Sequence, residues 1–137
     1  MYCLRKRSKE ICIGHRLYNY KGPCSNVHGH GITVELELVT PAPLVVDYDQ
    51  LNSFLSSLDR MWDHGFIVWD LDKEMHAFLK QQQSKHYVIK ENPTMEALAR
   101  EIFDVIVMSS QSWSSHLKKV RVFEKAGKDN MAEYSVP

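Results

Sequence analysis

Between Gly29 and Thr40 apolar and polar side chains alternate. Ile32, Val34, Leu36 and Leu38 share one face, and Thr33, Glu35 and Glu37 share the other. A period of two with one polar face predicts a half-buried strand of an antiparallel sheet, closed by Pro41 and Pro43. The pattern then turns helical. Leu44-Val45-Val46 reads as a short extended run and Asp47 as an N-cap; behind it Leu51, Phe54, Leu55, Leu58, Met61 and Trp62 form one apolar stripe. A second stripe, Met95, Leu98, Ala99, Ile102, Phe103 and Ile106, follows Asn92-Pro93-Thr94, where either Asn92 with Pro93 at the first helical position or Thr94 supplies the cap.

The remaining segments carry shorter signals. Residues 1–17 pass from a basic cluster (Arg5, Lys6, Arg7, Lys9) into Ile11-Cys12-Ile13 and read as a solvated strand or hairpin edge. Lys119 to Glu124, with Val120 and Val122 inward, predicts a late strand; Ala126–Asn130 reads as a turn and Met131–Val136 as an edge strand. In the stretch 70–91, Leu71, Met75, Phe78 and Leu79 fit a short helix and Gln81-Gln82-Gln83-Ser84 a loop. The order is two strands, two helices, two strands. This predicts an α+β domain, ββααββ, whose four-stranded antiparallel sheet carries both helices on one face. Such a sheet leaves two edges open, and pairing them between subunits into a barrel is the expected remedy.

Length and composition narrow the function classes. At 137 residues, with no repeat or linker, the chain reads as one domain spanning 1–137. Seventeen Lys and Arg balance seventeen Asp and Glu, so no global field draws nucleic acid or an anionic membrane surface. The longest apolar run, Ile102–Met108, is broken by Asp104 and is far short of the ~20 residues of a membrane span. Three cysteines, an odd number, and no apolar leader after Met1 point to a reduced, cytoplasmic protein.

The chemistry concentrates in three places. His28-Gly29-His30 sets two imidazoles on one face of an extended segment, and an antiparallel return brings His15 alongside. Three neutral imidazoles suit Zn²⁺ and leave a coordination position open, the mark of a catalytic rather than a structural ion. Cys24, four residues before His28, is either a thiol whose thiolate the cation favours or a fourth ligand that would close the site. Asp63-His64 offers a carboxylate-oriented imidazole for proton transfer. Glu124, ending an apolar strand, offers paired acceptors to a planar donor edge. Cys3, Cys12, His76, His86 and His116 show no partner pattern.

From Ile11 to Tyr134 the chain resembles the 6-pyruvoyl-tetrahydropterin synthase / 6-carboxytetrahydropterin synthase family. The motifs that carry this stand in order: His15-Arg16-Leu17, Cys24-Ser25-Asn26-Val27-His28-Gly29-His30, Leu44-Val45-Val46-Asp47-Tyr48, Asp63-His64, Asn92-Pro93-Thr94-Met95-Glu96 and Val122-Phe123-Glu124. The resemblance implies the T-fold, a homo-oligomer (hexamer or tetramer) whose sheets join into a barrel, with active sites at subunit interfaces. It implies His15, His28 and His30 as zinc ligands, Cys24 as the base, and Asp63 and His64 as its activating and proton-shuttling partners. Glu124 would anchor the pterin, with Thr94 near the ring, and 7,8-dihydroneopterin triphosphate would be the substrate. Three residues between Cys24 and His28 look like the bacterial queuosine-pathway branch, which forms 6-carboxy-5,6,7,8-tetrahydropterin with release of triphosphate and acetaldehyde. The alternatives are the pyruvoyl synthase, which stops before side-chain cleavage, and a non-catalytic zinc- or pterin-binding relative. Arg16 and Lys21 are candidates for the triphosphate by charge and position. The chain departs from the family after Asp63-His64, where the usual Asn is missing from Gly65-Phe66-Ile67-Val68, and at Lys125, where a Thr is common.

Overall fold

The computed structural model describes residues 1–125 and 130–137, so the turn expected at Ala126–Asn130 falls, except for Asn130, outside the described residues. Among the described residues seven strands and three α-helices follow in the order β1 (Tyr2–Arg7), β2 (Ile11–His15), β3 (His28–Thr40), α1 (Tyr48–Trp62), β4 (Gly65–Trp69), α2 (Lys73–Gln81), β5 (His86–Ile89), α3 (Met95–Met108), β6 (Leu117–Glu124) and β7 (Met131–Ser135). The α+β class holds. The four-stranded antiparallel sheet of order ββααββ does not: one mixed sheet runs β5-β4-β2-β3-β6-β7, with β1 also paired to β3.

Two unforeseen strands, β4 and β5, and the division of the N-terminal segment into β1 and β2 explain the difference. β4 lies parallel to β2 and to β5, and α2 carries the chain between β4 and β5 as a crossover. Alternation sends Ile67 of β4 into the main core and Val68 to the opposite face, where it packs with Phe66, Met75 and Leu79. A strand buried on both faces shows no polar alternation, and a five-residue apolar run cannot be told from a helix fragment by periodicity. α1 and α3 lie on one face of the sheet as expected, and α2, a third helix, covers the far face of β4.

β3 is the spine. Its first half pairs with β2 (Ile13↔His30, His15↔His28) and its second half with β1 (Arg5↔Glu37, Arg7↔Glu35). Ser8 bridges the break between β1 and β2: its N–H donates to the Val34 carbonyl and its hydroxyl accepts from the Val34 N–H. Ile32, Val34, Leu36 and Leu38 point into the core with Val120 and Val122 of β6, under Leu51, Leu55, Leu58 and Trp62 of α1 and Leu98, Ile102 and Ile106 of α3. Met61, assigned to the α1 stripe by spacing, instead reaches solvent. The expected extended run at Leu44–Val46 is a turn, with Leu44 at φ 60°. It delivers Asp47 as the α1 cap; the Asp47 carboxylate accepts from the Asp49 N–H at 2.8 Å and Gln50 Oε1 accepts from the Asp47 N–H at 2.9 Å. Thr94 caps α3, its hydroxyl accepting from the Ala97 N–H at 3.1 Å.

The other face of β1, β3, β6 and β7 is a field of opposed charges. Arg121 reaches Glu35 and Glu37 at 2.9 Å and Glu133 at 2.7 Å, and Arg5 bonds Glu37 at 2.9 Å. Cross-strand register sets positive against negative in each row (Glu35↔Arg121, Arg121↔Glu133). Burial works against the Glu37 carboxylate, but the Arg121 and Arg5 hydrogen bonds outweigh it and hold the group below the usual carboxylate range.

Candidate metal centre and proton-transfer dyad

The register that pairs His15 with His28 places His30 two residues along on the same face, at the end of the core. The three ring centroids lie 4.5, 4.8 and 5.1 Å apart, and one nitrogen from each ring falls within 4.8 Å of the others. Gly29 lets the strands approach: a Cβ there would stand 3.2 Å from the Ile13 carbonyl oxygen.

Two of the rings are turned by hydrogen bonds at Nδ1, and the third sets its Nδ1 near a carboxylate. His15 Nδ1 donates to the Pro93 carbonyl at 2.7 Å and His28 Nδ1 to the Asn26 carbonyl at 2.6 Å. A carbonyl only accepts, so both protons sit on Nδ1 and both Nε2 lone pairs are free. His30 Nδ1 faces Glu124 Oε1 at 3.3 Å. His15 is 5% exposed, and its Nε2 is buried with no hydrogen-bond partner among the described residues. An orphaned buried acceptor costs about 1–3 kcal/mol, and a cation shared with the two neighbouring rings removes that cost. Burial also pushes the His15 imidazole down to about 4, with the Pro93 hydrogen bond opposing it, so the ring is neutral and ligand-ready at pH 7. The residues present fit a zinc ion.

Pro93 owes its position to Asn92. The Asn92 side chain accepts from the Tyr18 N–H at 3.0 Å and donates to the Tyr18 carbonyl at 2.9 Å, clamping the loop after β2 to the start of α3. Asn92 is thus a clamp and not a helix cap, and the carbonyls of Pro93 and Asn26 are site elements that side-chain patterns do not reveal. Thr94 follows Pro93 in the chain, its hydroxyl taken up in capping α3. Cys24 is exposed on a 3-10 turn, Pro23–Ser25, and its carbonyl accepts from the Leu17 N–H at 2.8 Å. It does not belong to the histidine group.

Asp63 and His64 sit elsewhere. Asp63 Oδ1 accepts from the Cys12 N–H at 2.9 Å, His64 N–H donates to the Cys12 carbonyl at 2.7 Å, and His64 Nδ1 meets Asp63 Oδ2 at 2.7 Å. The Cys12 N–H and then His64 hold the Asp63 carboxyl below its ordinary range. His64 takes a left-handed backbone, φ 60°, where the chain turns from α1 into β4, and its ring is 80% exposed. Cys12 points away from the face that carries Ile11, Ile13 and His15. The dyad bonds the Cys12 backbone, in the plane of the sheet, and His64 lines a cleft with Cys12, Gly14 and Phe66 on the side of β2 away from His15, so within one chain the dyad and the histidine cluster belong to opposite faces of β2.

Arg16 is committed to the fold. Its Nε and Nη2 donate to Asp72 at 2.7 and 2.6 Å, and Asp72 is 2% exposed. This fork removes Arg16 as a free triphosphate contact, whereas Lys21 is exposed. On the far side of Glu124 a cleft of about 570 Å³ is lined by Arg7, Thr33, Phe123, Glu124 and Lys125.

Residues 4–136 match the family model described as 6-pyruvoyl tetrahydropterin synthase. A probable 6-carboxy-5,6,7,8-tetrahydropterin synthase of Halobacterium salinarum is 33% identical over 92 residues, 65% of this chain and 59% of that protein. The 6-carboxy-5,6,7,8-tetrahydropterin synthase of Rickettsia bellii is 27% identical over 82% of this chain and 88% of its own length. Among solved structures, an uncharacterized protein of Wolinella succinogenes superposes with a TM-score of 0.79 at 18% identity, covering 99% of this chain and 98% of that one. The 6-pyruvoyl tetrahydropterin synthase of Plasmodium vivax superposes with a TM-score of 0.65 at 14% identity, covering 99% and 100%. These two likenesses are of fold.

Proposed function

Because the chain belongs to the 6-pyruvoyl tetrahydropterin synthase family, we propose that it is a zinc-dependent 6-carboxy-5,6,7,8-tetrahydropterin synthase. It would convert 7,8-dihydroneopterin triphosphate and one water to 6-carboxytetrahydropterin, triphosphate and acetaldehyde, the water supplying the carboxyl oxygen and the aldehyde hydrogen when the side chain is cleaved. The observation that carries the reading is the cluster of His15, His28 and His30, with the buried His15 Nε2 lacking any partner among the described residues. Relatives named for this activity support the choice of branch.

His15, His28 and His30 hold the ion. Bound there, it supplies positive charge that stabilises negative charge developing on the substrate's side-chain oxygens. Cys24 removes a proton from the substrate side chain. His64, its Nδ1–H held by Asp63, accepts and returns protons through Nε2. Glu124 accepts from the amino and ring N–H groups of the pterin, and Thr94 lies near the ring. The dyad and the metal cluster lie on opposite faces of β2, and this supports an active site completed by a second copy, the dyad of one subunit serving the histidines of another. Sheets joined edge to edge in a barrel would supply that arrangement.

Incubation of zinc-loaded protein with 7,8-dihydroneopterin triphosphate, with mass analysis of the products, tests this. The expected products are 6-carboxytetrahydropterin, triphosphate and acetaldehyde. Triphosphate release without acetaldehyde would move the activity to the pyruvoyl branch. Tight binding with unchanged substrate would leave a pterin-binding protein.

A further inference from the structure

We infer that Glu124 is a positioning residue for the metal centre, holding the His30 imidazole, in addition to the anchoring role proposed above. The inference rests on reading the three histidines as a metal site.

Strand register brings the two residues together. Glu124 ends β6 directly opposite Ile32 of β3, and His30 lies two residues back on the same face. A diagonal pair of this kind stands roughly 7–8 Å apart at the backbone, a span that a glutamate side chain closes. Glu124 Oε1 lies 3.3 Å from His30 Nδ1, and the two side chains are 21% and 22% exposed. The other two rings are oriented by backbone carbonyls, Pro93 for His15 and Asn26 for His28. Those acceptors come with the fold and are indifferent to side-chain substitution. Among the described residues His30 is the one member of the cluster whose Nδ1 faces another side chain, so here alone the chain tunes a ligand by residue choice.

A carboxylate at this point keeps the proton on Nδ1, leaves the Nε2 lone pair outward and strengthens the ring as a donor. The two tasks are compatible. A carboxylate offers two oxygens and about four lone-pair sites, so Oε1 can hold His30 while Oε2 receives a pterin N–H.

The test is the zinc affinity of the metal-free protein, measured by competition with a chelating dye with no pterin present. Anchoring alone would not move that number. Glu124→Ala, which removes the acceptor, and Glu124→Asp, which is too short for the diagonal, are expected to weaken zinc binding by about 10–100-fold. Glu124→Gln keeps an acceptor oxygen without the charge and falls between them and the unchanged protein. Thermal unfolding of the metal-free forms, expected to match, separates positioning from damage to the fold; if the Ala variant does not fold, the Gln and Asp variants still decide. Zinc affinities within twofold of the unchanged protein in all folded variants overturn the inference and leave the metal site standing. An unchanged protein that binds no zinc overturns the metal reading itself and the inference with it.

Discussion

Replacing Asp63 by Asn exchanges one carboxylate oxygen for an NH₂ and nothing else. Asp63 Oδ1 takes the Cys12 N–H at 2.9 Å, an acceptor contact the amide oxygen of Asn can keep. The NH₂ then faces His64 Nδ1, where the carboxylate oxygen stands at 2.7 Å. An NH₂ donates, so the imidazole proton is driven to Nε2, and the ring loses its free lone pair on the exposed side. Two losses follow. In the protonated ring Nδ1–H then faces another donor, so a charge-assisted hydrogen bond of about 1.5–3 kcal/mol is lost, roughly a 10–100-fold loss in stabilising that ring. The wrong tautomer adds a larger factor, up to about 10⁴ where an equivalent substitution has trapped it in a catalytic triad. We expect kcat to fall about 10²–10⁴-fold, with KM little changed. Unfolding free energy should shift by less than about 1 kcal/mol, since the Cys12 contact persists. Steady-state release of triphosphate by zinc-loaded protein, alongside thermal melts, reads both quantities. A folded variant with kcat within threefold of the unchanged protein would refute the dyad.

Three further outcomes are expected. Cys24→Ala should retain zinc by metal analysis and lose turnover, because the histidine group closes without the Cys24 sulfur; loss of the ion would make Cys24 a ligand. Arg16→Ala should destabilise by about 2–4 kcal/mol in chemical denaturation, since it strands an Asp72 carboxylate that is 2% exposed, and Arg16→Lys should recover little, because an ammonium cannot reproduce the two-pronged contact. Unaltered stability in Arg16→Ala would return that guanidinium to the substrate. In the metal-free protein, His15 should make stability fall on acidification. Its folded pKa of about 4 lies below the ordinary 6.5, so the unfolded chain takes up the proton first, and stability present above pH 6.5 is lost towards pH 4. Denaturant midpoints across that window, compared with His15→Gln, measure it, and parallel curves for the two proteins would contradict the assignment.

Which parts of this molecule could be read in advance follows from the range of the forces involved. β3, α1 and α3 repeat their apolar positions over 13 to 15 residues, long enough for periods of two and 3.6 to separate. The histidine cluster was legible for a related reason: His28-x-His30 needs only the pleat to share a face, and one antiparallel return adds His15. β4 was hidden because it is short and buried on both faces, and β5 because a four-residue edge strand is too short to show a period, whereas the short helix fitted to Leu71, Met75, Phe78 and Leu79 is α2, with Met75 and Leu79 buried. Met61 met the helical spacing and still faces water, since a stripe says which residues align but not how far the neighbouring layer extends.

The chain's own order of residues determined the class of fold, the long elements, the histidine triad and the chemistry its side chains offer, all set by contacts a few residues apart or by a single strand return. Only the tertiary structure decided that Pro93 and Asn26 turn the rings, that Arg16 serves Asp72, and that Asp63 and His64 lie across β2 from the histidines. Those are meetings of residues up to 78 positions apart; the rings are turned by backbone carbonyls, and a backbone carbonyl is the same group in every residue. No side-chain pattern marks which one will be brought to the site; packing selects it.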